Sequence, residues 1–249
     1  QFGPMATWEK LKGALTDLGF SDVVEVAHGA DAVAKLEAQH FIDHVPHDLP
    51  YLGTSCCPAW KLMVEKNFPE QSHCVSGKLT PMIVTAQMIK EIDPEAIVVF
   101  IGPCSAKKLE ALREDVLGVV DFVLTFEELM GMFVAKEIDF TSYEDNLTSI
   151  PATPLGRGFA VSDGVTHAIT ENIKRIAPDL EYKTASANGL FECKKMMTLA
   201  KLGKRNGYLL EGMACPGGCV AGAGTIIPIQ KATNEVNIFA NSSIFSISK

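Results

Sequence analysis

No stretch of this 249-residue chain is both long and apolar enough to cross a bilayer. The longest apolar run that reads as structure, Ala96 to Ile101, falls far short of the roughly 20 residues a membrane span needs. No secretory signal pattern opens the chain either, so the reading is a soluble, cytoplasmic protein away from membranes. Basic residues are also scarce, with 22 Lys and Arg against 30 Asp and Glu and a net charge of -8. Phosphate binding draws its affinity from clustered cations, so a nucleic-acid partner is excluded. C-x2-C pairs, internal repeats and low-complexity tracts are missing, and so is an initiating Met before "QFGPMATWEK". That opening reads as a processed chain or a piece of a longer one.

What is present is a 47% hydrophobic composition and seven cysteines. The first predicts a folded globular chain with one sizeable core or two modest lobes. An odd cysteine count, in a chain too large to need disulfide staples, favours reduced thiols and metal ligation.

Apolar periodicity predicts helices through Trp8, Leu11, Leu15 and Leu18, and over "ADAVAKLEAQHFI", "PAWKLMVEKNF", "TPMIVTAQMIKEI", "FEELMGMFVAKEI", "SDGVTHAITENIKRIA" and "LFECKKMMTLAKLG". "TPMIVTAQMIKEI" carries Pro at its first turn, "SDGVTHAITENIKRIA" opens with a Ser-Asp cap, and the last closes at Gly203. "DVVEV", "AIVVFIG", "DFVLT", "LEYKTAS" and "GYLLEGMA" read as strands, and "DHVPHDLPYLG" as a loop. Alternating helices and strands imply an α/β fold with mostly parallel, twisted sheets flanked by helices, in two lobes. Residues 139–157, rich in Thr, Ser, Pro, Asp and Asn, are the candidate linker between them. In such sheets ligands sit beyond the carboxyl ends of strands, where the cysteines after "AIVVFIG" and "YLLEGMA" fall.

Cys215 and Cys219 stand four apart in "EGMACPGGCVAGAGT", a spacing that puts both on one face of a helical turn. "TSCCPAW" adds Cys56 and Cys57, adjacent residues whose side chains diverge, so one ligates while the other does something else. "GPCSAKKLE" adds Cys104 at a helix start. Cys74 and Cys193 read as buried small hydrophobes. Soft thiolates gathered from three distant segments suit an iron-sulfur cluster, with zinc, a thiol enzyme and coincidence as alternatives.

The motifs "TSCCPAW", "PCSAKKLE" and "EGMACPGGC", in this order, resemble the three signatures of the FeFe hydrogenases, and the likeness extends over essentially the whole chain. The resemblance implies a single H-cluster domain over residues 1–249, lacking the family's opening strand and any ferredoxin-like domain. The metal cofactor would lie in the cleft between the lobes. It implies that Cys57, Cys104, Cys215 and Cys219 ligate a 4Fe-4S cubane. Cys219 would also bridge to a two-iron subcluster carrying CO, CN and azadithiolate ligands. Cys56 would be the proton-relay thiol. Lys107 would pair with a cyanide, and Met213, Thr80 and Pro81 would line the two-iron pocket.

The same resemblance implies a relay beyond the thiol. Ser76 is one member, and the helix before "TSCCP" supplies either Glu37 and His40 or, one residue out of register, Leu36 and Gln39. Two departures stand out: Gly102 where a methionine usually precedes "PC", expected to open volume beside the two-iron unit, and "AGAGT" where the third motif usually ends in "GGGQP". Both resemble sensory branches of the family and imply a slow, hydrogen-sensing protein with a signalling partner. The other implied partners are dihydrogen and protons, maturation proteins, and an external electron carrier such as a ferredoxin or an attached iron-sulfur domain. Seven cysteines leave too few for a second four-cysteine cluster. A related protein holding only the cubane, with a redox or structural role, is the competing expectation.

Overall fold

Leu209 and Leu210, adjacent on one strand, are both fully buried. Neighbouring strand side chains point to opposite faces, so this sheet must be covered on both sides. The computed structural model, which describes residues 1–145 and 152–242, shows how. In chain order it runs α1 (Trp8–Asp17), α2 (Ala27–His44), β1 (Tyr51–Gly53), α3 (Pro58–Asn67), α4 (Pro81–Ile92), β2 (Val99–Gly102) and α5 (Ala106–Glu110). There follow β3 (Phe122–Thr125), α6 (Phe126–Ala135), α7 (Pro154–Arg157), α8 (Gly164–Ile176), β4 (Lys183–Asn188), α9 (Leu190–Lys201), β5 (Tyr208–Met213) and α10 (Ile229–Asn241).

β1, β5 and β4 form one parallel sheet in that order, and β2 and β3 form a second. Leu52, Leu209 and Met213 face a core with Val33, Phe41, Val165 and Ile169 of α2 and α8. Tyr51 and Leu210 face the opposite core with Trp60, Val64, Cys193 and Met197 of α3 and α9. Burying each such aliphatic side chain contributes about 1.5–3 kcal/mol. The smaller sheet lies between α4, through Met82 and Ile83, and the α1–α6 pair, through Leu15, Leu129 and Phe133. The two-lobed α/β architecture expected from the sequence is therefore present.

Several local expectations fail, each for a physical reason. "DVVEV" pairs with no strand; its last residue caps α2 instead. The end of "DHVPHDLPYLG" becomes β1, because Tyr51, Leu52 and Gly53 register against Tyr208, Leu209 and Leu210. The Ser-Asp cap of α8 is replaced: Asp163 adopts the left-handed region (φ 68°) with no side-chain bond. The Glu211 carboxylate of β5 accepts from Asp163 N at 2.8 Å and Thr166 N at 2.6 Å. A carboxylate there satisfies orphan amides and faces the positive end of the helix. Of the candidate linker, residues 146–151 lie outside the described residues. On its flanks Tyr143 donates to Asp17 at 2.7 Å, and the Thr153 backbone donates to Asp31 at 2.9 Å.

Candidate metal and proton-transfer site

Three loops at the carboxyl ends of strands carry the thiols. Cys56 and Cys57 follow β1, and Cys57 occupies the N-cap of α3 with Pro58 at its first turn. Cys104 follows β2, and its carbonyl accepts from Lys107 N at 3.3 Å, which fixes the start of α5. Cys215 and Cys219 follow β5, but not on a helical turn as their spacing had implied. Gly217 (φ 97°) and Gly218 (φ 95°) turn the chain between them in a region open mainly to glycine, and only Cys219–Ala221 forms a short 3-10 turn.

This third loop crosses from the larger sheet to the smaller one. Gly224 N donates to Pro103 O at 2.9 Å, and Gly224 O accepts from Glu127 N at 3.1 Å. A Cβ on Gly222 would stand 2.4 Å from Pro103 O, and one on Gly224 2.3 Å from Thr125 Cβ. The small residues of "AGAGT" thus let backbone approach backbone beside Cys104. Gly102 opens no volume either: the Phe100 ring lies 2.7 Å from where its Cβ would stand.

Cys57, Cys104, Cys215 and Cys219 are close enough that every pair interacts electrostatically. Burial first, then the neighbouring thiols, pushes Cys219 up to about 12. Burial likewise raises Cys57 and Cys215. Among the described residues no three His, Cys, Asp or Glu side chains close on a single metal ion. Four soft donors gathered this way, yet spaced too widely for one ion, match a cluster better than zinc. Cys74 and Cys193 are buried in the core on which Cys57 packs, and Cys193 is near enough to Cys57 to feel its charge.

Cys56 and Cys219 both pack against the core that contains Met213. Burial, then Cys57, Glu211 and Cys219, raises the Cys56 thiol well above its ordinary range, with Lys107 opposing. Lys107, 8% exposed, sends its ammonium to Glu110 Oε2 at 2.6 Å, Thr80 Oγ1 at 2.9 Å and the Cys56 carbonyl at 3.4 Å. Pro81, buried, opens α4 directly after Thr80.

Burial sets the two candidate registers on α2 apart. Glu37 is buried and its Oε1 accepts from Ser55 Oγ at 2.8 Å, next to Cys56, whereas Leu36 is 48% exposed and Gln39 bonds Asp43. His40 Nδ1 lies 3.3 Å from Ser76 Oγ and 3.9 Å from Glu37 Oε2, a buried oxygen with no partner. Glu37, His40 and Ser76 therefore come together. Sequence reasoning missed Ser55, Glu110 and Glu211. Glu211 carried a signal, a lone charge inside the apolar strand "YLLEGM", and Glu110 lies one helical turn after Lys107.

Paired parallel sheets with thiol-bearing loops at their carboxyl ends define an α/β protein with a candidate thiolate metal site. Residues 1–223 match the model of the iron-only hydrogenase large subunit, C-terminal domain, and the chain belongs to that family. It is 29% identical over 272 residues to iron hydrogenase 1 of Clostridium pasteurianum, covering 92% of this chain and 47% of that protein. It is 38% identical over 101 residues to the cytosolic Fe-S cluster assembly factor NAR1 of Kluyveromyces lactis, covering 41% of this chain and 22% of that protein. A solved FeFe-hydrogenase, from work on oxygen inactivation through its two-iron subcluster, aligns with TM-score 0.73 and 25% identity over 95% of this chain and 78% of its own. The chain spans about half the length of the curated hydrogenases it matches. Among the described residues no helix is long and apolar enough to cross a membrane.

Proposed function

We propose that this chain is a cytoplasmic FeFe hydrogenase domain, two lobes around one site, that interconverts protons, electrons and dihydrogen. The observation that carries the reading is the meeting of four mutually interacting thiols with a fifth, Cys56, and a buried ammonium, Lys107. Cys57, Cys104, Cys215 and Cys219 would hold the 4Fe-4S cubane, and Cys219 would join it to the two-iron subcluster with its CO, CN and azadithiolate ligands. When bound, that group supplies the electron and hydrogen chemistry that no side chain provides.

The protein's own part is ligation, charge and protons. Cys56 keeps its proton at Sγ through neutral pH, because burial and its neighbours oppose ionisation. Lys107, bonded to Thr80 beside Pro81, would offer its positive charge to an anionic ligand of that group, and Met213 would line the pocket. Glu37, His40 and Ser76 carry protons between Cys56 and the surface. The departures from the family motifs at Gly102 and in "AGAGT" are what support slower turnover than bulk hydrogen production requires. We read the role as hydrogen sensing with a signalling partner, fed by a ferredoxin or an attached iron-sulfur domain and loaded by maturation proteins.

A second reading has one observation in its favour, the NAR1 match: a cubane-only iron-sulfur protein with a redox or structural role. Hydrogen evolution from reduced viologen by the fully loaded chain separates the two. Activity is expected in the native chain and should fall by about 100-fold or more in Cys56→Ala with iron content unchanged. An inactive native chain with four irons supports the second reading, and an unaffected variant refutes the role of Cys56.

A further inference from the structure

Five buried side-chain nitrogen and oxygen atoms among the described residues have no hydrogen-bond partner. Glu37 Oε2 and Glu110 Oε1 belong to carboxylates that already face His40 and Lys107. Arg205 Nε precedes β5, at the far end of that strand from the cysteines. The other two are hydroxyls, Thr54 Oγ1 and Ser162 Oγ. Thr54 is tied into the larger sheet, its amide donating to Leu210 O at 2.9 Å and its carbonyl accepting from Trp60 Nε1 at 3.1 Å. Ser162 instead touches the loop that joins Cys215 to Cys219. Its amide donates to Gly217 O at 3.2 Å, and a Cβ on Gly218 would stand 2.7 Å from Ser162 N and 2.9 Å from Ala160 O. Backbone therefore meets backbone, with no side chain on either glycine to hold them apart. On the other side Asp163 N is held by Glu211 Oε1 at 2.8 Å, and Phe159 packs in the core that Cys56, Cys219 and Met213 share. A segment fixed from both sides thus sets a buried hydroxyl against the loop that carries two of the four thiols. A buried donor left unpaired costs its desolvation in full, so each such group calls for an explanation. This one has no acceptor in the protein, and sulfur of a bound cluster is the acceptor that the neighbouring thiols imply.

We infer that the Ser162 hydroxyl donates a hydrogen bond to sulfur of the cubane and so raises its reduction potential. The inference rests on the four-thiolate site proposed above and adds a residue with no role there. Reduction brings one electron from the external carrier, and the added negative charge spreads onto sulfur. An O–H donated to that sulfur stabilises the reduced form more than the oxidised one. The proton stays on Oγ throughout, so the step changes the electron count alone. A serine suits this task because its hydroxyl turns freely to meet an acceptor and carries no charge to be balanced when the site is empty.

Ser162→Ala is the test, and Ser162→Thr, which keeps the hydroxyl, is its control. The full chain is loaded with the cubane alone and poised at a series of potentials, and the reduced cluster is counted by electron paramagnetic resonance. At the potential where the native cluster is half reduced, the ratio of reduced to oxidised cluster should fall about threefold in Ser162→Ala. That is about 30 mV, at about 59 mV per tenfold change for one electron. Ser162→Thr should keep the native ratio. An unchanged ratio in Ser162→Ala, with four irons bound, overturns the donor and leaves the four-thiolate reading standing. An equal fall in both variants overturns it too, because the side chain then acts by packing. A native chain that binds no four-iron cluster refutes the four-thiolate reading, and the donor with it. If Ser162→Ala does not retain four irons, urea titration of the metal-free chains decides. An unchanged midpoint then supports the donor, and a lower one overturns it, because the hydroxyl is bonded within the protein itself.

Discussion

Replacing Lys107 by Met separates what its ammonium does for stability from what it does for the site. The Lys107–Glu110 pair is almost wholly buried, with side chains 10% and 1% exposed. Glu110 Oε1 already lacks a partner, so removing the ammonium strips the other oxygen as well. Breaking a buried pair from one side costs about 3–5 kcal/mol, whereas replacing both members by apolar residues is close to neutral. The lost bonds to Thr80 and the Cys56 carbonyl add about 1 kcal/mol each to any variant at 107. Lys107→Met should therefore lower unfolding free energy by about 4 kcal/mol or more, and Lys107→Met with Glu110→Leu should regain about 2 kcal/mol or more. Urea titration of the three proteins reads both numbers. A single variant costing under about 1 kcal/mol, or a double variant no more stable than the single, refutes the electrostatic account. The restored double variant should still fail to retain the two-iron unit; full retention refutes the assigned role of the ammonium.

Gly212→Ala would place a Cβ 2.1 Å from Trp60 Cδ2, in a ring fully buried and held by its Nε1 bond to Thr54 O. Overpacking of this kind costs about 1–3 kcal/mol, visible as a lower urea midpoint, and an unchanged midpoint contradicts it. Gly102→Met should be destabilising by a similar amount, about 1–3 kcal/mol, and Phe100→Ala should relieve it, because the two side chains compete for one volume. Additive losses in that pair refute the competition. Burial raises Glu211 above its ordinary 4.5, so the native state binds this proton more tightly than the unfolded chain. Its contribution is complete below that value and is lost as pH rises through the folded value. Glu211→Gln should flatten that fall in stability with pH, at a cost of about 1–3 kcal/mol because an amide NH2 then faces a backbone N–H of α8; an identical pH slope refutes it.

The cysteine-bearing strand ends were legible in the sequence because "AIVVFIG" and "GYLLEGMA" are apolar runs that only a doubly covered strand explains. β1 was not, since its three residues owe their strand to β5 and sit behind prolines that read as loop. The spacing of Cys215 and Cys219 misled because periodicity does not see backbone sign, and two consecutive glycines at positive φ break the helix it implies. The departure at Gly102 was visible, but its filling by Phe100 depends on a ring folding back along its own strand. Helix α10 drew no expectation; it docks through Ala232, Ala240 and the Arg157–Phe239 contact, and its Ile229 lies against Gly217 of the third motif. Sequence left two registers on α2 open because a one-residue shift changes little in its pattern; in the fold Glu37 is buried and Leu36 exposed.

The central claim is that this site is built for a two-iron subcluster and not for a cubane alone. Infrared spectroscopy of the chain, loaded with the cubane and then treated with a synthetic two-iron complex, tests it directly. Bound CO and CN stretching bands that survive removal of excess complex are the predicted result. A chain that keeps its four cubane irons and shows no such bands would contradict the account.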